Sequence, residues 1–162
     1  TNFNGNFEAL STEKYQLPIR VGVKNNPIEE GDKPWVVGHF APDKYLNETH
    51  PQGHDGIDLK ATKNTLIYPI ASGIVIEVAE YPKGGKTCKI SHEGGKVISY
   101  YAHMSEIKVQ KNQEVNQTIP IGVIGQTGKS KVRRDNLHYE VRSQGKKIDP
   151  MIIVGKLVRS LS

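Results

Sequence analysis

Asn136-Leu137-His138-Tyr139-Glu140-Val141-Arg142 alternates polar and apolar side chains without interruption. Successive side chains of an extended strand point to opposite faces. Leu137, Tyr139 and Val141 therefore make an apolar face, and Asn136, His138, Glu140 and Arg142 a polar one. Such a strand belongs in an antiparallel sheet covered on one side only. Lys96–His103 has the same construction: Val97, Ser99, Tyr101 and His103 are expected on one face, Ile98, Tyr100 and Ala102 on the other.

Outward from these two segments, runs rich in β-branched and aromatic residues recur about every ten residues, separated by Gly, Pro and Asn. They are GIDLKA (56–61), TLIYPIASGIVIEVAEY (65–81), KTCKISHE (86–93), KVISYYAHMS (96–105), IPIGVIGQTG (119–128) and LHYEVRSQG (137–145). No segment keeps a helical period over about 11 residues. The C-terminal GKLVRSLS is expected to add at most one helical turn. The fold class expected is all-β: an antiparallel sandwich or open barrel-like sheet, with a groove lined by loops.

A chain of 162 residues with 36% hydrophobic content can bury one core without covalent staples. Cys88 is the single cysteine, so no intrachain disulfide forms. Residues 1–34 are polar and irregular and read as a lead-in arm carrying one strand at Leu17–Val23; the domain is expected over 35–162. Trp35 reads as a core or edge anchor. Thr1 in first place leads us to expect a processed or excised piece. No apolar run approaches the roughly 20 residues of a membrane span.

The net charge of +5 suits polyanions, among them the phosphate-rich polymers of a bacterial wall. The charges are scattered, Lys131-Val132-Arg133-Arg134 being the densest run, and most read as ordinary solvated surface. GQTGKS ends like a phosphate loop, but Gly122 and Gly128 are one residue too far apart and no helix is expected to follow, so a nucleotide site is rejected. No nucleic-acid partner is expected.

The six histidines are His39, His50, His54, His92, His103 and His138. A histidine taken singly is more often structural than a ligand, so combinations decide. In His54-Asp55-Gly56-Ile57-Asp58 the first and last side chains share one side of an extended segment, and Gly56 permits a bend or a close backbone approach. An imidazole and a carboxylate so placed can hold one metal ion with a third ligand from elsewhere. The same string reads equally as a polar turn signalled by Asp-Gly. No H-E-x-x-H helix is present.

These strings, taken in order, resemble the M23 (lysostaphin- and LytM-like) metallopeptidases. HDGIDLKA is similar to the family's H-x-G-x-D segment and YPIASGIVIEVAE to its strand ending in small-Gly-x-Val. GGKVISYYAHMS resembles its Y-x-H segment, NQEVNQTIPIGVIGQTGKS its hairpin and G-x-T-G-x-S turn, and NLHYEVR stands where the family has H-L-H-[FY]-E-[VIL]-R. IDPMIIV matches its closing x-D-P, so the likeness runs from about Gly53 to Val154, with a looser upstream piece in GHFAPDKYLNETHP.

The resemblance implies a LytM-like fold with a duplicated hybrid motif, and Zn2+ held by His54, Asp58 and His138. It makes His103 the catalytic histidine, and the substrates peptide stems and cross-bridges of peptidoglycan. The address it implies is extracellular or in the cell envelope: secreted, periplasmic or phage-particle-associated. The departure is Asn136, which stands where the family usually has a second catalytic histidine. Asparagine hydrogen-bonds but exchanges no proton near neutral pH.

Two functions follow from this. One is a zinc endopeptidase impaired by Asn136, favoured by retention of the three ligands and His103. The other, favoured by Asn136, is a silent LytM-like module that scaffolds, binds wall or activates a protein partner. A lipoyl- or biotinyl-carrier hairpin is set aside, because the only lysine resembling a carrier site, Lys60, lies beside the expected metal pair.

Overall fold

The computed structural model describes residues 15, 16, 18, 19, 36–38, 56–129, 135–148 and 150. Among the described residues eleven strands follow one another: β1 (Val36–Gly38), β2 (Ile57–Lys60), β3 (Leu66–Ile67), β4 (Gly73–Tyr81), β5 (Gly85–His92), β6 (Val97–Met104), β7 (Glu106–Ile107), β8 (Glu114–Val115), β9 (Gly122–Val123), β10 (Asn136–Ser143) and β11 (Lys146–Ile148). A single 3-10 turn, Glu93–Gly95, is the only helical element among the described residues. The fold is all-β and antiparallel, as the alternation requires.

Eight strands form the main sheet in the order β1-β2-β10-β6-β5-β4-β8, with β11 hairpinned onto β10. The β10–β11 turn places Gln144 (φ 52) and Gly145 (φ 81) in the left-handed region, the pattern of a two-residue turn matched to strand twist. β3, β9 and β7 make a second, three-stranded sheet. The run 65–81 thus divides between both sheets, broken by bends around Pro69–Ser72.

The core lies on the apolar face of the main sheet. Ile57 and Leu59 from β2, Leu137, Tyr139 and Val141 from β10, Val97 and Tyr101 from β6, and Cys88 and Ile90 from β5 are all buried there. Tyr101 and Tyr139 stack with ring centroids 5.8 Å apart. Ile67 and the partly buried Ile107 bring the small sheet into the same cluster.

The stretch expected as a lead-in arm contributes to this core. Tyr15 and Ile19 are buried in it, the Gln16 backbone N–H donates to the Ile70 carbonyl (2.7 Å), and the Tyr68 N–H donates to the Pro18 carbonyl (2.8 Å). The Gln16 side-chain amide donates to the carbonyls of Pro69 (3.0 Å) and Gln117 (2.9 Å). Where a strand was expected over Leu17–Val23, Pro18 and Ile19 form a bend, and proline has no N–H to give a ladder. The remainder of that strand, Trp35 and the C-terminal GKLVRSLS lie outside the described residues.

Candidate metal centre

The polar face of the main sheet is built around β10. Asp58 of β2 stands directly opposite His138 on one side, and Ala102 of β6 on the other. Directly opposed cross-strand side chains are in reach of one another. Ala102 leaves the imidazole room, while Asp58 meets it: Asp58 Oδ1 lies 2.9 Å from His138 Nδ1. Gly56 makes this pairing possible, because a Cβ there would collide with the Tyr139 carbonyl oxygen and the Glu140 side chain. The close backbone approach expected at this glycine is what brings β2 onto β10.

The second ring nitrogen is also held. His138 Nε2 lies 2.7 Å from Glu140 Oε2, two residues along the same strand face, and Arg142 Nη2 approaches the other Glu140 oxygen at 3.5 Å. Burial works against a charge on His138, but the Asp58 and Glu140 carboxylates outweigh it and push the imidazole up to about 9. Burial likewise resists ionisation of Glu140, yet its bond to His138 holds the carboxyl below its ordinary range. Tyr100 closes a further side of the imidazole, edge-on with centroids 6.1 Å apart.

His103 reaches this centre by breaking the strand period. Val97, Ser99 and Tyr101 are buried on the core face, and strict alternation would send His103 after them. Its φ of 62 turns it aside, and its ring lies 6.0 Å from that of His138. Histidine is among the few non-glycine residues enriched in this left-handed region. The His103 backbone N–H donates to the Gly84 carbonyl (2.7 Å), and Nδ1 lies 2.7 Å from the Thr127 carbonyl oxygen, to which it can only donate. In the neutral ring the lone pair is therefore on Nε2.

Thr127 was read from sequence as part of a turn; the structure makes it the clasp of this corner. Its hydroxyl donates to the Met104 carbonyl (2.6 Å) and accepts from the Lys86 N–H (3.0 Å). Gly128, at φ 76, packs so tightly against the 83–85 turn that a Cβ would strike the Gly85 backbone.

Asn136 shares the polar face of His138, as the alternation predicts, and is fully buried, its backbone N–H donating to the Gly125 carbonyl (3.0 Å). His54, with His39 and His50, lies outside the described residues. Among the described residues no group of three His, Cys, Asp or Glu converges as a metal site.

The donors that are present suit a shared ion. In a tetrahedral zinc site, nitrogen and oxygen ligands stand about 3.3 Å apart for bonds of about 2.0–2.1 Å. Asp58 Oδ1 and His138 Nδ1, at 2.9 Å, need part by only about 0.4 Å to reach that separation.

His92 is not part of this centre. Its Nδ1 meets the Ser72 carbonyl (2.9 Å) and its Nε2 the Ser99 hydroxyl (2.8 Å), and the Tyr101 hydroxyl donates to Ser99 (2.7 Å). Ser99 and His92 are buried in the core, so this Ser–His contact is structural.

Known proteins share this architecture. A structure described as a zinc-containing peptidase from Vibrio cholerae superposes with a TM-score of 0.66 at 26% identity, covering 77% of this chain and 38% of that one. The catalytic domain of lysostaphin from Staphylococcus simulans shares the fold, with a TM-score of 0.64 at 24% identity over 74% of this chain and 91% of its own. In sequence, the chain is 33% identical over 98 residues to the peptidoglycan DD-endopeptidase ShyA of Vibrio cholerae, which is 60% of this chain and 22% of that protein. It is 32% identical over 99 residues to the murein hydrolase activator NlpD of Escherichia coli, 61% of this chain and 25% of that protein. The likeness thus spans about a quarter of each of these relatives. Residues 52–150 match the family described as Peptidase family M23, and the chain belongs to that family.

Proposed function

We propose that this domain binds one Zn2+ through His54, Asp58 and His138 and acts as an endopeptidase on peptide stems or cross-bridges of peptidoglycan. The observation that carries the reading is the buried Asp58–His138 pair at 2.9 Å with the His103 ring beside it. Two donors from distant strands meet within reach of one ion, and a proton-accepting imidazole stands next to them. A relative named as a DD-endopeptidase and a neighbour described as a zinc-containing peptidase support it.

Zinc bound there would acidify a water and polarise the scissile carbonyl. The chain supplies the rest. His103, its Nδ1–H committed to Thr127, offers Nε2 as the base that takes the water's proton and later returns it to the leaving amine. Asn136 cannot carry a proton, so cleavage runs below that of a domain with histidine there. Substrates of this kind belong to the cell envelope, and we assign the domain an extracellular or envelope address.

A silent module that activates a separate hydrolase is the second reading. The full burial of Asn136 and the relative named as a murein hydrolase activator favour it.

Metal analysis of the purified chain tests the site: about one equivalent of zinc is expected, and Asp58→Ala is expected to remove it. A zinc-free parent protein ends both readings. Digestion of isolated cell walls then separates them. Asn136→His is expected to raise cleavage by up to about 10²-fold, the lower end of what a general acid–base group contributes. Zinc binding with no cleavage by either chain leaves the activating module in place of the enzyme.

A further inference from the structure

We propose that Glu140 is a positioning residue for the metal: its carboxylate accepts the hydrogen bond of His138 Nε2–H and so presents Nδ1, and only Nδ1, to zinc. The proposal rests on the zinc reading above. Both ring nitrogens of His138 face a carboxylate, at 2.9 Å from Asp58 and 2.7 Å from Glu140, so these distances alone do not select the ligand nitrogen. Three observations separate the two carboxylates.

Asp58 is itself a proposed ligand and stands across the ladder from His138, so the nitrogen it faces is the one that can share its ion. Glu140 is on the same strand as His138, and its other oxygen is engaged by the Arg142 guanidinium at 3.5 Å. Tyr100, opposite Glu140 in the β6–β10 register, stands edge-on to the imidazole on that flank. The Glu140 side of the ring is thus walled by an aromatic and a salt bridge, whereas the Asp58 side faces a second donor.

A carboxylate on the far nitrogen of a ligating histidine fixes the tautomer, locks the ring's rotation and makes the bound nitrogen a better donor. Loss of such a partner typically weakens metal affinity about 10–100-fold. The 2.7 Å separation is that of a charge-assisted bond. Glu140 also lies 10% exposed at its side chain, shielded from competing water. The expected chemistry is therefore a carboxylate–histidine–zinc relay running along one strand, from Glu140 to His138, with Asp58 across the ladder as co-ligand.

Zinc affinity by competition with a chelator, and the imidazole 15N–1H spectrum of the zinc-loaded chain, test it together. The parent is expected to show a His138 signal with Nδ1 metal-bound and a strongly hydrogen-bonded, slowly exchanging Nε2–H. Glu140→Gln keeps the shape without the charge, and is expected to lower affinity about tenfold and to move or broaden the Nε2–H resonance. Glu140→Asp, which withdraws the charge by one methylene, is expected to do the same and serves if the glutamine chain does not fold. Affinity within twofold of the parent and an unmoved resonance in a folded variant overturn the proposal while leaving the zinc site intact. A parent that binds no zinc overturns the site itself, and the proposal with it.

Discussion

At the residue scale, two histidines of this chain have opposite fates for a simple electrostatic reason. His138 sits between two carboxylates and its protonated form is favoured; His92 faces a carbonyl, a hydroxyl and the edge of the Tyr15 ring, and burial depresses its affinity for a proton despite the Ser72 carbonyl and nearby Glu93. His92 also accepts at Nε2 the end of a directed chain that starts at the Ile70 N–H and passes through Tyr101 and Ser99. Protonation of that nitrogen reverses the last bond and disrupts the chain.

The sign follows from linkage. The unfolded ring titrates near its reference value of about 6.5, the folded one lower, so the unfolded chain binds the proton first and stability falls as pH drops below about 6.5. The contribution of His138, whose folded value is raised, is already complete below about 6.5 and does not change in that window. Urea unfolding of the metal-free protein is expected to show stability falling as pH drops from 6.5 to 5.0. His92→Gln should flatten that part of the profile; an unchanged slope removes His92 as its cause.

His103 shows why residue-level reading stopped short. Alternation placed it with Val97, Ser99 and Tyr101, yet a φ of 62 carries its ring to the opposite side, beside His138. A single dihedral leaves no mark on a period-two pattern. Glu140 was visible as a polar-face residue and Thr127 as part of a turn, but partners fixed by distant strands were not legible in either string.

At the scale of elements, β10 was readable because one face, Leu137, Tyr139 and Val141, is buried along the strand. The two-residue strands β3, β7, β8 and β9 are too short to show a period, and a bend separates β3 from β4 inside what reads as one apolar run. Nor does any local signal say that β2 lies against β10, although the contact that defines the centre joins residues 80 apart. Gly56 marked a close backbone approach without naming the strand approached, which is β10 at the Tyr139 carbonyl.

Gly56→Ala is therefore expected to cost about 1–3 kcal/mol of stability, the usual range for forcing extra volume into a packed site. It is also expected to weaken zinc binding, because β2 must move and Asp58 moves with it. Thermal unfolding and metal content of that variant check both. Full zinc content in a destabilised protein dissociates the glycine's packing role from the metal site.

At the scale of the whole molecule, family likeness and physical packing draw different outlines. The match to the M23 family begins at residue 52, whereas the core takes in Tyr15 and Ile19. Each of these side chains is fully removed from water, a burial worth about 1.5–3 kcal/mol for a large apolar group. A chain trimmed to 35–162 is expected to unfold at lower temperature than the parent, by an amount that Tyr15→Ala and Ile19→Ala together reproduce in the full-length protein. Equal melting temperatures for trimmed and parent chains deny the segment a structural role.

The docking of residues 15–19 also has a mechanical corollary. Gln16 grips three backbone carbonyls, of Pro69, Ile70 and Gln117, none of them on the strand that carries His138. Tension passed along the chain to Gln16 is therefore delivered to those carbonyls and not to β10.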